Sequence, residues 1–413
     1  MKKIVVISDF IEGQPVVASV RFSEVMRYIN KSYCLYIIND MKYGGQISEF
    51  ANMNLKYYST ETKLSNQIGD KQNKKGKIEK FLRNPFVLKV WRNIKYSNTL
   101  FKRKNKKLFQ ELTTLFSEEK IECVLVTIPD IYGLYILNFI KKHYPSIPIV
   151  IEIRDIINHS IGKGNPRFIY RKAEKLICKY ADGIIALSNG IADYYSKLIR
   201  KEMNIKLIKN GYNHENFIDC KYNNNLACKK ALTLAHVGSI YKGRNIGDFI
   251  KGLVLFAEET GINIVFNIVG VLDNQAYDEI DQIQKSKNIK VNVIGTLPHS
   301  QAIQVLKECD ISVIVTHKSG SDFAIPGKTF EYIGASKPII AVTEDNELIS
   351  LVNKKYGECA SHNPMDICRK LKAILETKYD FSDKLKYSRR NQAEEIIRFI
   401  ESTINVKVKE EWH

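Results

Sequence analysis

The sequence predicts an α/β protein with two domains, each built on an open parallel sheet. Short apolar runs at residues 4–8, 123–128 and 311–316 have the length and composition of buried strands. Amphipathic stretches with helical spacing separate these runs, and strands that alternate with helices form parallel sheets. The chain has 413 residues, more than one hydrophobic core usually organises, so two domains of roughly 200 residues are expected.

Composition and charge limit the classes of protein to which the chain can belong. The hydrophobic content of 44% is typical of a globular protein, and no run approaches the ~18 apolar residues that span a bilayer. The apolar run after Met1 is too short for a signal peptide. Eight scattered cysteines without a C-x-x-C pair predict reduced thiols in a cytoplasmic protein. The net charge of +18 predicts a polyanionic partner, either nucleic acid or the anionic face of a membrane.

The first half opens like a Rossmann-like domain, with a strand at residues 4–8, a polar loop at 9–14 and then an amphipathic helix. The loop lacks the G-x-G-x-x-G fingerprint, which argues against a dinucleotide cofactor. A later strand, at residues 147–153, ends in the charged pair Arg154 and Asp155. Open α/β sheets bind ligands at such strand ends. The alternative for this pair is a structural salt bridge.

Residues 71–107 interrupt the alternation of strands and helices with fourteen lysines and arginines against the single acid Glu79. Aromatic residues such as Phe86 and Trp91 are interleaved with them. This pattern is typical of a helix that lies in a membrane interface. Two alternatives stay open: an exposed helix whose aromatic side chains dock on the domain, and a surface that binds nucleic acid.

A tight-turn signal at residues 210–213, Asn-Gly-Tyr-Asn, marks the expected boundary between the domains. In the second half, a strand at residues 232–237 ends at Gly238, and the loop after it carries Lys242 and Arg244. Two cationic side chains beside the start of a helix suit a diphosphate. The alternative is a basic loop in a basic protein.

Residues 319–342 join a polar loop, a short helix and a buried strand with almost no spacing. Pro326 suits the first turn of this helix, and Pro338 is expected to end it. The three residues before Pro326 include no Ser, Thr, Asn or Asp to cap the first amides, so an anion is the natural partner. Lys328 and Glu331 share a face, one suited to phosphate and the other to sugar hydroxyls. Alternatively, Glu331 complements the helix dipole and Lys328 is its solvated partner.

The P-x-K-x-F-E-Y pattern of this stretch resembles the nucleotide-sugar loop of GT-B glycosyltransferases, specifically the large retaining family 4. The pattern is formed by Pro326, Lys328, Phe330, Glu331 and Tyr332. The run A-D-x-I-I-x-x-S at 181–188 and the turn at 210–213 are similar to the last strand of that family's first domain and to its hinge. The resemblance implies two Rossmann-like domains whose parallel sheets face a central cleft, and a C-terminal helix that crosses back to the first domain. The implied ranges are 1–212, with the basic insertion at 71–107, then 213–385 and 386–413.

The resemblance also implies the site residues. The sequence departs from the family at Phe323, where a sugar-contacting glutamate often stands, and Asp322 beside it is the candidate replacement. A second departure is Ser239, where the family usually has an arginine that grips the donor phosphates. The implied catalytic set is Lys328, Arg244 and Asp322. The implied donor-binding set is Gly238, Ser239, Lys242, Arg244, Thr296, Leu297, Ile325, Pro326, Gly327, Lys328, Thr329 and Glu331. The implied acceptor-binding set is Gly13, Arg21, Arg154, Asp155 and His159.

The activity that the resemblance implies is retaining transfer of a sugar from a nucleotide sugar, without a metal ion or other cofactor. No D-x-D pair stands at a strand end, and we expect a UDP-sugar as donor. The basic segment favours a lipid-linked glycan acceptor in surface-polysaccharide assembly, at the cytoplasmic face of a membrane rather than on nucleic acid. Two alternatives stay open: a catalytically silent nucleotide-binding scaffold, and a nucleotide-sugar 2-epimerase on the same fold.

Overall fold

The computed structural model describes residues 1–8, 17–40, 51–57, 84–98, 100, 106–128, 133–158, 166–199, 203–240, 246–281, 288–318 and 325–411. The chain forms two compact units. The first is Met1–Lys209 together with Gln392–His413, and the second is Asn210–Asn391. The assignment of acceptor binding to the first half of the chain and donor binding to the second stays a prediction.

The first unit contains a parallel sheet of seven strands in the order β3-β2-β1-β4-β5-β6-β7. Its strands are β1 (Lys2–Ser8), β2 (Tyr33–Asp40), β3 (Ala51–Tyr57), β4 (Ile121–Ile128), β5 (Ile149–Ile153), β6 (Gly183–Ala186) and β7 (Asn204–Leu207). Its helices are α1 (Val17–Ile29), α2 (Pro85–Ser97), α3 (Lys106–Glu118), α4 (Leu134–His143), α5 (Arg167–Tyr180) and α6 (Asn189–Leu198). The central strands are buried along most of their length, because helices cover the faces of a parallel sheet.

The last helix of the chain packs on this first sheet. Helix α13 (Arg389–Glu411) buries Ile396, Phe399 and Ile400 in the same core as the strands of the first unit. Lys407 adds an ion pair with Asp182, at 3.5 Å. The expectation that the C-terminal helix returns to the first half of the chain is therefore confirmed.

The second unit contains a parallel sheet of six strands in the order β10-β9-β8-β11-β12-β13. Its strands are β8 (Ala231–Val237), β9 (Asn263–Val269), β10 (Ile289–Gly295), β11 (Ile311–Val315), β12 (Ile339–Val342) and β13 (Gly357–Ala360). Its helices are α7 (Ile246–Thr260), α8 (Asn274–Asp281), α9 (His299–Glu308), α10 (Lys328–Gly334), α11 (Asn346–Val352) and α12 (Pro364–Glu376). The predicted class, α/β with two parallel sheets, is confirmed.

No helix within the described ranges combines the length and the apolarity that a membrane crossing needs.

Candidate functional site

The candidate site lies in the second unit, at the point where the strand order of its sheet reverses. β8 and β11 are neighbours there, although β9 and β10 separate them in the chain and extend the sheet away from β11. Ligands of open α/β sheets bind beside the carboxyl ends of the two strands at such a point. Gly238 follows β8 directly, and the segment after β11 leads to α10. Gly238 and the described residues around α10 therefore lie at the part of the fold best placed to bind a ligand.

Two glycines shape the strand ends at this site. Gly238 has a φ of +132° and Gly270 a φ of +136°, values that side chains rarely adopt. A Cβ on Gly270 would lie 2.6 Å from the carbonyl group of Gly238, and a Cβ on Gly238 would lie 2.7 Å from the Nζ atom of Lys328. The glycines thus let one backbone approach another, and they leave room for a lysine side chain above the end of β8.

Helix α10 begins at Lys328, so Pro326 lies two residues before the helix. The sequence had predicted Pro326 in the first turn of the helix. The reason is a tight turn: the Thr329 amide donates to the Pro326 carbonyl, and the Phe330 amide donates to the Gly327 carbonyl. No side chain caps the helix, in agreement with the absence of a capping residue in the sequence. The helix also ends earlier than predicted, at Gly334 instead of near Pro338.

The early end of α10 has a structural cause. Ser336 has a left-handed backbone with a φ of +56°, which ends the helix. The Lys384 ammonium group donates to the Gly334 carbonyl at 3.1 Å and to the Ser336 Oγ atom at 2.7 Å. A cation at the carboxyl end of a helix complements its dipole, so Lys384 fixes this end of α10.

Tyr332 fixes α10 against the sheet, and Asn210 lies beside the residue that precedes the helix. The Tyr332 hydroxyl accepts a hydrogen bond from the Val237 amide at 2.8 Å, and burial raises the pKa of this phenol. The Asn210 side chain lies beside Gly327 and accepts a hydrogen bond from Arg389 at 2.9 Å. The short helix is therefore tied to β8 by Tyr332 and held at its end by Lys384.

Lys328 points back to the end of β8. Its Nζ atom lies 2.9 Å from the Nε2 atom of His236, and the Nδ1 atom of His236 lies 3.0 Å from the Val313 carbonyl. His236 is fully buried on β8, whereas Lys328 is half-buried. A cationic group is thus fixed at the switch point of the sheet, where it can meet an anion.

Glu331 lies one turn further along α10 and contacts α9. Its carboxylate is 3.1 Å from the Nε2 atom of His299, the first residue of α9. Thr296 and Leu297 form the link from β10 to α9, so this contact brings them close to α10. The predicted ribose residue therefore contacts the start of α9, two residues after Leu297 in the chain.

Several predicted residues lie outside the described residues, and their roles stay predictions. They are Gly13, His159, Lys242, Arg244 and Asp322, together with Phe323 at the position of the family glutamate. Ile325 packs partly buried against the core of the second unit, and Ser239 follows Gly238 half-buried. Thr329 is fully buried.

Three predicted acceptor residues are described in the first unit: Arg21 lies on α1, and Arg154 and Asp155 directly follow β5. Arg21 of α1 is only 3% exposed and forms a buried ion pair with Glu152 of β5. Arg154 is half-buried, and burial together with the nearby Arg21 guanidinium lowers its pKa, whereas Asp155 is exposed. The observed role of Arg21 is to hold α1 against β5. Acceptor binding by Arg21, Arg154 and Asp155 stays a prediction.

Sequence reasoning missed the residues that support the site. His236, His299, Asn210 and Glu152 each contact a predicted site residue or the backbone beside it. A histidine at the end of a buried strand was a usable signal for His236, since a buried imidazole requires a hydrogen-bond partner. Asn210 was noted only as part of the turn at 210–213, and His299 and Glu152 carry no signal apart from their partners.

No protein-family model and no curated protein sequence matches the chain. Solved structures do match. The lipopolysaccharide outer core galactosyltransferase WaaB, in its apo form, has a TM-score of 0.63 and 14% identity over 97% of this chain and 99% of its own. Anabaena Alr3699/HepE in complex with UDP has a TM-score of 0.60 and 13% identity over 100% of this chain and 99% of its own. The UDP-GlcNAc 2-epimerase from Methanocaldococcus jannaschii has a TM-score of 0.54 and 13% identity over 97% of this chain and 99% of its own.

At these low identities, the likeness shows the fold. Two parallel sheets with surrounding helices, matched over nearly the whole chain by glycosyltransferase structures, confirm the predicted GT-B fold.

Proposed function

We propose that the protein is a glycosyltransferase that moves a sugar from a nucleotide sugar to a glycan acceptor. The observation that carries the proposal is the placement of Lys328 at the switch point of the second sheet, directly above Gly238. A transferred sugar leaves behind a nucleoside diphosphate, whose developing negative charge must be stabilised. The Lys328 ammonium group stabilises that charge.

The other predicted donor residues each bind a different part of the nucleotide sugar. Glu331 accepts hydrogen bonds from the ribose hydroxyls, and Thr296 and Leu297 hold the nucleobase through their backbone groups. Gly238 and Ser239 bring their backbone close to the diphosphate. Lys242 and Arg244 add positive charge, and Asp322 contacts the transferred sugar. The contact between Glu331 and His299 supports this proposal, because His299 follows Thr296 and Leu297 closely in the chain.

The proposal extends to mechanism. Transfer retains the anomeric configuration and needs no metal ion, because cationic side chains stabilise the leaving diphosphate. A donor phosphate oxygen takes the proton of the acceptor hydroxyl. These features rest on the resemblance of the loop at residues 319–342 to family 4 glycosyltransferases. We propose UDP as the nucleotide, and the solved structure of HepE with UDP on the same fold supports that choice.

The donor site is tested with a thermal-shift panel of UDP, GDP and ADP and their sugars, followed by calorimetry of the best binder. Lys328→Met removes a charged hydrogen bond to phosphate, ~1.5–3 kcal/mol, so the Kd is expected to rise about 10–150-fold. Lys251→Met, which removes an exposed lysine of α7 in the same unit, is the matched control and is expected to leave the Kd unchanged. Equal affinities for wild type and Lys328→Met would exclude Lys328 from the site.

Product analysis separates the proposal from its two alternatives. A 2-epimerase converts UDP-GlcNAc to its C2 epimer with no acceptor present, and the epimerase among the matched structures makes this assay necessary. A silent scaffold binds the nucleotide but gives no product with any donor and acceptor. A glycosyltransferase releases UDP in proportion to the glycoside formed.

The proposed acceptor is a lipid-linked glycan at the cytoplasmic face of a membrane, and helix α2 supports it. In α2 none of the residues is buried, and four of its apolar side chains are exposed. Phe86 is 72% exposed, Ile94 59% and Trp91 49%. This exposure argues against the alternative in which the aromatic side chains dock on the domain. Folding alone does not favour so large an exposed apolar face, so it marks an interaction surface.

Positive charge surrounds the exposed face of α2. Lys89 and Lys95 are exposed on the same helix, and the Lys95 ammonium group lies 4.9 Å from the ring centre of Trp91. Helix α5 extends the surface with Phe168, which is 63% exposed and has the Lys172 ammonium group 4.5 Å from its ring centre. Aromatic side chains that insert between lipid headgroups, with lysines beside them, fit an anionic membrane.

Liposome sedimentation tests the membrane proposal. Wild type is expected to bind vesicles that contain anionic lipid, and increasing salt is expected to release it. The double variant Phe86→Ser/Trp91→Ser should lose binding, whereas Ile218→Ser/Met365→Ser removes apolar side chains of similar exposure from the second unit and should not. Binding to DNA or RNA but not to vesicles at equal salt would favour the nucleic-acid alternative.

A further inference from the structure

The hydrogen bonds of His236 fix which of its nitrogen atoms carries the proton. The Nδ1 atom lies 3.0 Å from the Val313 carbonyl, and a carbonyl oxygen only accepts hydrogen bonds, so Nδ1 is the donor. In the neutral ring, Nε2 then has a lone pair. The Lys328 ammonium group, 2.9 Å away, donates to that lone pair. His236 is therefore a neutral imidazole that links the backbone of β11 to the side chain of Lys328.

We propose that His236 is a positioning residue that holds the Lys328 ammonium group in place for a diphosphate without neutralising its charge. The inference rests on the proposed function of the donor site. Elsewhere in the described part of the chain, carboxylates orient lysines, as Glu358 does for Lys370 at 3.0 Å and Asp310 for Lys229 at 2.5 Å. A carboxylate in the place of the His236 ring would orient Lys328 equally well, but it would oppose the charge of the ammonium group and repel the phosphates. An imidazole lone pair orients the ammonium group and adds no negative charge.

The surroundings of His236 make it a rigid support. The ring is fully buried, and it lies between the two strands at the switch point, β8 and β11. The lysine chain passes above Gly238, and Tyr332 ties the helix that carries Lys328 to the backbone of Val237. A free lysine side chain has many rotamers, and their loss opposes binding. Fixing Lys328 before the nucleotide arrives is expected to improve affinity about tenfold.

The first part of the test separates the effect of the hydrogen bond to Lys328 from the effect of side-chain size at position 236. His236→Gln places an amide oxygen near the position of Nε2 and so keeps an acceptor for Lys328. His236→Asn keeps a donor near the position of Nδ1 for Val313, but its shorter side chain does not reach Lys328. The measurement is the Kd for UDP by calorimetry, with the thermal midpoint of each variant alongside. We expect His236→Asn to weaken UDP binding about tenfold and His236→Gln to stay within about threefold of wild type.

The second part tests the role of charge. His236→Glu has the shape of the Gln variant but a carboxylate next to Lys328, so its UDP affinity is expected to fall at least tenfold below that of His236→Gln. Equal affinities of the Glu and Gln variants would overturn the inference. Equal losses in the Asn and Gln variants, with equally lowered thermal midpoints, would assign His236 a purely structural role and also overturn it.

A third measurement keeps the inference separate from the proposed function. The ¹⁵N NMR spectrum of histidine-labelled protein without ligand reports the tautomer of His236. A proton on Nδ1 is expected, and a proton on Nε2 would overturn the inference without any ligand. If wild type binds no nucleoside diphosphate while the Nδ1 tautomer is found, the proposed function fails and the hydrogen-bond assignment stands.

Discussion

Substitution of Gly238 by alanine tests the geometry of the candidate site most directly. At Gly238, φ is +132°, and a Cβ atom would lie 2.7 Å from the Lys328 Nζ atom and 3.0 Å from its Cε atom. The backbone strain costs ~1–3 kcal/mol of folding stability. The ammonium group must also leave its place. If it then loses a charged hydrogen bond to phosphate, UDP binding weakens by ~1.5–3 kcal/mol, or about 10–150-fold in Kd.

The control for Gly238→Ala is Gly261→Ala. Gly261 has a φ of +70°, but a Cβ there would meet no atom within 4 Å. This control is expected to lose ~1–2 kcal/mol of stability from strain alone and to bind UDP as wild type does. Denaturant unfolding measures the stability of both variants, and calorimetry measures their UDP affinity.

The double variant Gly238→Ala/Lys328→Met makes the test sharper. If alanine acts by displacing Lys328, the double variant binds UDP no more weakly than Lys328→Met alone. Additive losses would mean that Gly238 acts independently of Lys328. Wild-type affinity of Gly238→Ala would refute the placement of the diphosphate beside Gly238 altogether.

The remaining predictions concern stability and reactivity. Burial raises the pKa of Glu174, so folding favours its protonated form and this stabilising effect is lost as pH rises through the folded pKa. The melting temperature of Glu174→Gln relative to wild type should therefore increase from pH 4 to pH 7. Gly334→Ala would place a Cβ 2.6 Å from the Tyr212 ring, so chemical denaturation should show a loss of ~1–3 kcal/mol. Burial raises the pKa of Cys123 and Cys309 to about 12, so at pH 8 a thiol reagent should label exposed Cys228 in the native protein and the two buried thiols only after denaturation.

The elements of the fold followed from local patterns in the sequence. Strand β11, for example, was predicted to within one residue, because an apolar run depends only on neighbours in the chain. Pro326 shows the limit of such reasoning. Proline favours the first turn of a helix, but the turn formed by Pro326 and Gly327 delays the helix to Lys328.

Some residues of the site could be predicted from the sequence, and others could not. Lys328 and Glu331 stood out because their types and spacing suit a nucleotide sugar, and the P-x-K-x-F-E-Y pattern supported them. His236 did not stand out, because its partner Lys328 is 92 residues away in the chain. Arg21 was recognised as a candidate, but its burial against Glu152 depends on α1 packing near the end of β5.

The sequence by itself determined that the chain alternates strands and helices in two halves, and that a lysine and a glutamate share the start of one short helix. Only the tertiary structure decided what that lysine contacts. The strand order places β8 beside β11 and so brings His236, Val313 and Lys328 together. Periodicity carries no information on which distant strands pair, because that choice depends on the packing of the whole sheet.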